Sequence, residues 1–239
     1  MIHSGWKCVK RLVKAGIAGT TAEQALLSLG ARRLAALADV RQRLGQPETI
    51  LCLGNGPSSE DEQLHGLPHD CLFRVNSRWL ERGFLTHPDV VFTGDHLSLR
   101  RCRYCLFGFR TVAEETAVLF NHWLGLRLGR IECFNAERLG LRLDERSWGA
   151  RPTNGAVMVS TAVALRPRRL IVAGLDLYRH PAGKYPGDPA SANCYASVHD
   201  ADIELAVVCQ ALLAFRGELI VVGEALREAV AEREASLSP

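Results

Sequence analysis

Short apolar runs alternate with longer stretches of helical periodicity from residue 48 onward. Apolar runs of strand length predict buried strands, whereas apolar positions spaced three and four residues apart predict helices. The predicted strands are Thr49–Leu53, Cys71–Val75, Val90–Thr93, Tyr104–Phe107, Arg130–Phe134, Leu170–Ala173 and Leu219–Val222. The predicted helices are Thr111–Trp123, Asn154–Leu165, His199–Phe215 and Glu224–Glu234. Because strands that alternate with helices are typical of a mostly parallel sheet, we predict an α/β fold with helices on both faces.

Residues 1–46 show a different pattern, which predicts two amphipathic helices in succession. The first places basic side chains opposite an apolar face made of Trp6, Val9, Leu12, Val13 and Ile17. The second begins at a capping box over 21–24 and runs through Leu44. We therefore expect a helical extension, residues 1–46, and a main domain, residues 47–239. The basic helix could lie on an anionic membrane surface, or the pair could pack on the main domain or on a partner subunit of a homo-oligomer.

Composition narrows the class of protein without identifying it. The 239 residues are 47% hydrophobic and 23% charged, and a net charge of +3 is too small to indicate nucleic-acid binding. We find no apolar run that could span a bilayer and no apolar core of a secretory signal. Eight cysteines without a compact disulfide framework favour a reducing, cytoplasmic compartment. Cys102 and Cys105 form a close pair, which we expect to pack in the core rather than to bind metal.

A glycine-rich turn, Gly54-Asn-Gly56-Pro, follows the first predicted strand of the main domain. Its glycines allow the backbone to approach a ligand closely, and ligands of open α/β sheets bind at the carboxyl ends of strands. The turn is not a dinucleotide fingerprint, because Ser59 replaces the third glycine. Asn76 ends the second predicted strand. We therefore expect Asn55 and Asn76 to face one crevice, where amides suit hydroxyl groups or the edge of a base.

Two further segments carry polar residues at the ends of predicted elements. Arg151–Gly155 precedes a helix of small residues, whose amino terminus would attract a phosphate or carboxylate; an ordinary capped helix with a surface arginine is the alternative. Residues 176–198 follow a strand and are irregular and rich in Gly and Pro, which predicts a lid. Tyrosine hydroxyls of this segment could donate to a departing phosphate, and His199 could accept a proton from an attacking hydroxyl.

The order of these motifs resembles that of the bacterial family-42 sialyltransferases. The resemblance rests on Gly-Asn-Gly-Pro-Ser, Phe-Arg-Val-Asn, Arg-Pro-Thr-Asn-Gly, Gly-Leu-Asp-Leu-Tyr and a tyrosine shortly before a histidine, and it covers Ile50 to Val222. It implies one Rossmann-like domain of the modified A type. The implied activity is transfer of sialic acid from CMP-sialic acid to a galactose or sialic-acid hydroxyl of a glycan, with inversion and without a metal or other cofactor.

The resemblance also implies a role for each matched side chain. His199 would be the general base, and Tyr178 and Tyr185 would stabilise the leaving phosphate. The implied donor-binding residues are Asn55, Gly56, Ser58, Asn76, Arg151, Thr153, Asn154, Gly155, Asp176 and Tyr195. Asn154 stands where the family usually has a serine, and the interval from His199 to Asp202 is shorter than in the family.

Other functions fit parts of the same sequence. The donor could carry a related acid, such as Kdo or pseudaminic acid, because the CMP leaving group is the same. Asp200-Ala-Asp202 could instead hold a cation and a diphosphate in a metal-dependent glycosyltransferase, although acidic residues are common in the first turn of any helix. A non-catalytic nucleotide- or sugar-binding module is a further class. The resemblance implies a place in surface-glycan assembly, such as lipopolysaccharide synthesis, on the cytosolic side of the membrane.

Overall fold

The computed structural model describes residues 30–123, 131–180, 185–186 and 197–237. The strands are β1 (Ala31–Arg33), β2 (Thr49–Leu53), β3 (Cys71–Val75), β4 (Val90–Phe92), β5 (Leu106–Phe109), β6 (Ile131–Asn135), β7 (Arg169–Ala173) and β8 (Glu218–Val221). The α-helices are α1 (Leu37–Arg43), α2 (His96–Arg101), α3 (Val112–Trp123), α4 (Glu145–Trp148), α5 (Asn154–Ala164), α6 (Ala201–Ala214) and α7 (Glu224–Leu237). Short 3₁₀ helices lie at Pro57–Glu60, Glu62–Gly66 and Arg78–Glu81.

The strands form one eight-stranded sheet in the order β1-β6-β5-β4-β3-β2-β7-β8, and every neighbouring pair is parallel. The chain runs outward from β2 to β6 and then returns to β7 on the other side of β2. Such a reversal is a topological switch point, beside which ligands of open α/β sheets bind. The predicted α/β, Rossmann-like fold is confirmed, and the strands predicted for the main domain form with boundaries within two residues of those expected.

Helices cover both faces of the sheet, as the alternation of side chains along each strand requires. In β4, Val90 and Phe92 pack in a core with α1, α5, α6 and α7, whereas Val91 packs in a separate core with α2 and α3. β2 is fully buried and contributes Ile50 to one face and Leu51 to the other. Strands that are apolar on both faces therefore carry few polar groups except at their ends, which is where the candidate site residues lie.

The amino-terminal prediction is partly wrong. The second predicted helix is interrupted, because Ala31–Arg33 form β1, an edge strand that pairs with β6. The ion pair of Arg33 with the buried Glu115 fastens this strand to α3. The helix resumes as α1 and ends at Arg43, one residue before the predicted end at Leu44. The sheet thus includes residues that the sequence assigned to a separate extension, while the first predicted helix and its membrane contact lie outside the described residues.

The cysteines of the described chain are free and buried, which confirms that Cys102 and Cys105 belong to the core. Burial raises the pKa of Cys102 to about 11 and that of Cys105 to about 12. Such thiols are poor nucleophiles and poor redox groups near neutral pH. None of the helices in the described part of the chain has both the length and the apolar character needed to cross a membrane.

Candidate active site

The turns after β2 and β7 are pressed against each other. The N–H of Gly54 donates to the carbonyl oxygen of Ala173 (2.8 Å), and the N–H of Gly56 donates to that of Gly174 (2.9 Å). A Cβ atom at position 54 would lie 2.2 Å from the Gly174 oxygen, so no larger residue fits there without a backbone shift. The glycines predicted to admit a ligand therefore serve first to bring two strand ends together.

Ser58 and Asp176 join these two turns by hydrogen bonds. The Ser58 N–H donates to Oδ2 of Asp176 (2.9 Å), and the Ser58 hydroxyl oxygen accepts from the N–H of Gly174 (2.9 Å). Both side chains are buried. Asp176 reaches the cleft described below, whereas Ser58 does not line it. Ser58 thus holds Gly174 and Asp176 in place without lining the cleft itself.

Arg74, on β3, holds the Gly54 turn from below. Its guanidinium is fully buried and donates to the carbonyl oxygens of Phe84 (2.7 Å) and Gly54 (3.3 Å). It also lies 5.2 Å from the ring centroid of Trp79, within the range of a cation–π contact. Burial lowers the pKa of Arg74 to about 9, and the neighbouring Arg82 adds to this effect.

Asn55 and Asn76 open onto the same space, as predicted. The Asn55 side-chain amide donates to the Val75 carbonyl (3.2 Å), while its Oδ1 is buried and has no hydrogen-bond partner among the described residues. Asn76 adopts a left-handed conformation at φ 55°, which asparagine tolerates better than most residues. Its Oδ1 accepts from Nδ2 of Asn154 (3.1 Å) and from Oγ1 of Thr93 (3.2 Å). The side-chain oxygen of Asn55 is thus available to accept a hydrogen bond, whereas that of Asn76 already accepts two.

Thr153 caps the amino terminus of α5. Its Oγ1 accepts from the N–H groups of Gly155 (3.1 Å) and Ala156 (3.3 Å) and donates to Oε1 of Glu204 (2.5 Å). Part of the anion-attracting capacity of this helix end is therefore used within the protein. An anion at this end would be contacted chiefly by side chains such as that of Asn154.

His199 is oriented by the backbone of the Arg151 loop. Its Nδ1 lies 2.5 Å from the carbonyl oxygen of Arg151. Because a carbonyl can only accept, Nδ1 carries the proton, and in the neutral imidazole Nε2 holds the free lone pair. His199 lines the cleft.

The Arg151 guanidinium points away from the predicted position. It donates to Oε1 of Glu114 (2.8 Å), a buried carboxylate that also receives Arg110 (2.7 Å). Arg110 in turn donates to the Pro152 carbonyl (2.7 Å). Arg151 does not line the cleft, so in this structure its contribution is to fix the loop whose carbonyl holds His199.

Tyr178 and Tyr185 form a pair at the edge of the site. The Tyr185 hydroxyl donates to the Tyr178 hydroxyl (2.5 Å), and the ring centroids lie 5.8 Å apart. Leu177 and Tyr178 both have positive φ, which marks a sharply bent backbone after β7. The bend brings Tyr178 to the lining of the cleft described below, to which Tyr185 also contributes.

These elements enclose one cleft of about 390 Å³. It is lined by ten of the predicted site residues, namely Asn55, Gly56, Asn76, Thr153, Asn154, Gly155, Asp176, Tyr178, Tyr185 and His199. Tyr195 and most of the predicted lid lie outside the described residues. Three charged or titratable lining residues were not foreseen: Arg78, His180 and Glu204. Glu204 could have been suspected from the sequence, because it is an acidic residue between Ile203 and Leu205 on a mostly apolar helix.

No model of a known protein family matches this sequence, and no curated protein is similar enough to count as a match. Solved structures do match. The monofunctional α-2,3-sialyltransferase Cst-I from Campylobacter jejuni has a TM-score of 0.53 at 17% identity, over 73% of this chain and 75% of that chain. The sialyltransferase CstII from Campylobacter jejuni, in complex with the substrate analogue cytidine-5′-monophosphate, has a TM-score of 0.50 at 17% identity. The match covers 74% of this chain and 80% of that chain.

At this level of identity, the likeness concerns the fold. The chain has a Rossmann-like α/β fold, and it shares that fold with the Campylobacter sialyltransferases, as the order of its motifs implied.

Proposed function

We propose that this protein is an inverting glycosyltransferase that moves sialic acid, or a related nonulosonic acid, from its CMP donor to a glycan hydroxyl without a metal. The observation that carries the proposal is the cleft itself. Asn55, Asn76, Tyr178, Tyr185 and His199 come from distant parts of the chain and line one cavity beside the switch point. The shared fold of CMP-binding sialyltransferases supports the same activity.

The chemistry is a displacement at the anomeric carbon. The acceptor oxygen bonds to this carbon as the bond to the CMP phosphate oxygen breaks, through an oxocarbenium-like transition state. The acceptor proton passes to Nε2 of His199, which the Arg151 carbonyl orients. The electron pair of the broken bond stays on the CMP phosphate, where the hydroxyls of Tyr178 and Tyr185 offset the growing charge.

The nucleotide half of the donor suits the asparagine side of the cleft. Asn55 Oδ1 is a buried acceptor with no partner among the described residues, and an exocyclic amine or a ribose hydroxyl could donate to it. Asn154, hydrogen-bonded to Asn76, lies next to the amino terminus of α5 and would face the phosphate or the sugar acid.

The metal-dependent alternative relies on Asp200 and Asp202. Asp200 caps α6, since its Oδ1 accepts from the N–H groups of Asp202 (2.9 Å) and Ile203 (3.0 Å). Neither aspartate lines the cleft. Their positions are explained by helix capping, which favours the metal-independent proposal.

One pair of assays tests the proposal. CMP, CMP-sialic acid and CMP-Kdo are titrated into the protein by calorimetry, and CMP release is then followed with glycan acceptors, with and without EDTA. We expect binding of CMP, release that survives EDTA, and a product whose anomeric configuration, read by NMR, is opposite to that of the donor. Binding without release from any donor would favour a non-catalytic module, and loss of release in EDTA would favour the metal-dependent enzyme.

The cellular setting is part of the same proposal. We infer a place in surface-glycan synthesis at the cytosolic side of a membrane. The motif order supports it, and so does the basic face of the first predicted helix, with Lys7, Lys10, Arg11 and Lys14.

A further inference from the structure

Glu204 is a buried carboxylate at the wall of the cleft. It belongs to the first turn of α6, five positions after His199, and is 5% exposed. Both of its oxygens accept from one residue: Oε1 from the Thr153 hydroxyl (2.5 Å) and Oε2 from the Thr153 N–H (3.1 Å). Both oxygens of this buried acid thus bind one loop of the site, and the acid is not merely a charge near the helix terminus.

The direction of the Thr153 hydroxyl proton follows from its other contacts. The oxygen already accepts from the N–H groups of Gly155 and Ala156, so its single hydrogen points to Glu204. Two accepted hydrogen bonds, one on each oxygen, are the pattern of an ionised carboxylate. Replacing that carboxylate by an amide would set an N–H₂ group against one of the two donors.

Glu204 and His199 hold the same loop. The Arg151 carbonyl accepts from the imidazole Nδ1–H, and two residues further on Thr153 donates its hydroxyl and its N–H to Glu204. The opposite side of this loop is fixed to α3, because Arg151 donates to Glu114 of that helix and Arg110, just before the helix, donates to the Pro152 carbonyl. The carbonyl that orients His199 is therefore held between α3 and the start of α6.

We propose that Glu204 is a positioning residue for His199. It locks the loop of residues 151–153 onto α6, and this keeps the Arg151 carbonyl where it selects the Nδ1–H tautomer and directs Nε2 into the cleft. The inference deepens the proposed function, since it assumes that His199 is the base. It adds a residue that acts through the loop and not by contact with the reacting atoms.

The test compares Glu204→Gln with Glu228→Gln, the same change at an exposed position of α7. The ¹⁵N spectrum of the His199 ring reports its tautomer in the wild type and in each variant, and needs no turnover. We expect Glu204→Gln to lose the preference for Nδ1–H and to lower kcat by about 10- to 100-fold, as small misplacements of a catalytic group do, with CMP affinity little changed. Glu228→Gln should match the wild type in its His199 tautomer, its kcat and its CMP affinity.

The His199→Ala background gives the decisive comparison. If Glu204 acts through the imidazole, Glu204→Gln should cause no further loss of turnover there. An unchanged His199 tautomer in Glu204→Gln, or an equal loss of kcat in both backgrounds, would overturn the inference. Thr153→Ala is the second variant if Glu204→Gln does not fold. It removes the side-chain bond to Glu204 together with the cap of α5 and keeps the bond from the Thr153 N–H, and it should shift the tautomer in the same direction. If the wild type turns over no donor, the proposed function fails, while the tautomer measurement still decides whether Glu204 positions His199.

Discussion

The imidazole Nδ1 of His199 lies 2.5 Å from the carbonyl oxygen of Arg151, although 48 positions separate the two residues in the chain. A backbone acceptor cannot change its protonation state, so it fixes one tautomer at any pH at which the ring is neutral. The free lone pair of the neutral ring is then always on Nε2.

His199→Ala should lower kcat by about 10² to 10⁴-fold, the usual contribution of a general base. CMP affinity should be retained, because the contacts proposed for the nucleotide lie on the asparagine side of the cleft. Turnover is measured by CMP release and affinity by calorimetry. His87→Ala, at an exposed histidine before β4, is the control. Full activity of His199→Ala would show that the base is another group.

Tyr185→Phe removes the hydroxyl that donates to Tyr178. If the pair stabilises the leaving phosphate, kcat should fall by about 10- to 100-fold, while the KM for the donor changes less. The rate should recover with a donor whose leaving group is more acidic, since such a group needs less help. A variant that fails equally with both donors would place the pair outside the chemical step.

Asn55→Ala should weaken CMP binding by about 0.5 to 1.5 kcal/mol, the usual net value of one hydrogen bond. The reason is the buried Oδ1 acceptor, which has no partner within the described residues. Ser98 offers a matched control, since its hydroxyl is also buried without a partner there but lies away from the cleft. Calorimetry should show unchanged CMP affinity for Ser98→Ala. Equal affinities for the two variants would contradict the assignment.

Gly54→Ala should destabilise the protein by about 1 to 3 kcal/mol, as overpacking does, because the new Cβ would lie 2.2 Å from the Gly174 carbonyl oxygen. Denaturant unfolding followed by circular dichroism measures the change. Gly66→Ala is the control, since a Cβ there meets nothing within 4 Å. If both variants unfold at the same denaturant concentration, the turns of β2 and β7 are not closely packed in solution.

Burial raises the pKa of Glu204 above the ordinary 4.5 of a glutamate, although the hydrogen bonds from Thr153 oppose part of the shift. The folded state therefore keeps this proton to higher pH than the unfolded state. The stability that the proton provides is fully present below about pH 4.5 and is lost as pH rises through the folded-state pKa. The free energy of unfolding of the wild type, relative to Glu204→Gln, should accordingly fall from about pH 4 upward. A difference that rises over this range would contradict the direction of the shift.

The sequence was most informative where structure is local. The apolar runs of β2 and β3 end at Gly54 and Asn76, and parallel strands bring such ends to one edge, so much of the cleft could be predicted from strand positions alone. His199 was predicted as a site residue from its place at the end of the irregular segment 176–198 and from the motif order, and it lines the cleft. Its proposed role as the base awaits the kinetic test.

Contacts between distant side chains could not be predicted. Ala31–Arg33 was expected to be helical because its propensity is helical, and only pairing with β6, 100 positions away, makes it a strand. The Arg151 guanidinium was expected at the donor, but a buried carboxylate at Glu114, 37 positions earlier, binds it instead. Glu204 looked like an ordinary acid in the first turn of a helix, and its partner Thr153 is 51 positions away.

The pairing of β2 with β7 joins residues that the ribosome synthesises far apart, with Thr49 opposite Arg169. A nascent chain or proteolytic fragment that stops before Arg169 contains both Asn55 and Asn76 but lacks the strand that closes the floor beneath them. The binding surface thus comes into existence only when most of the polypeptide has been made and folded. A nucleotide that binds there can stabilise the finished molecule but cannot assist its earlier folding intermediates.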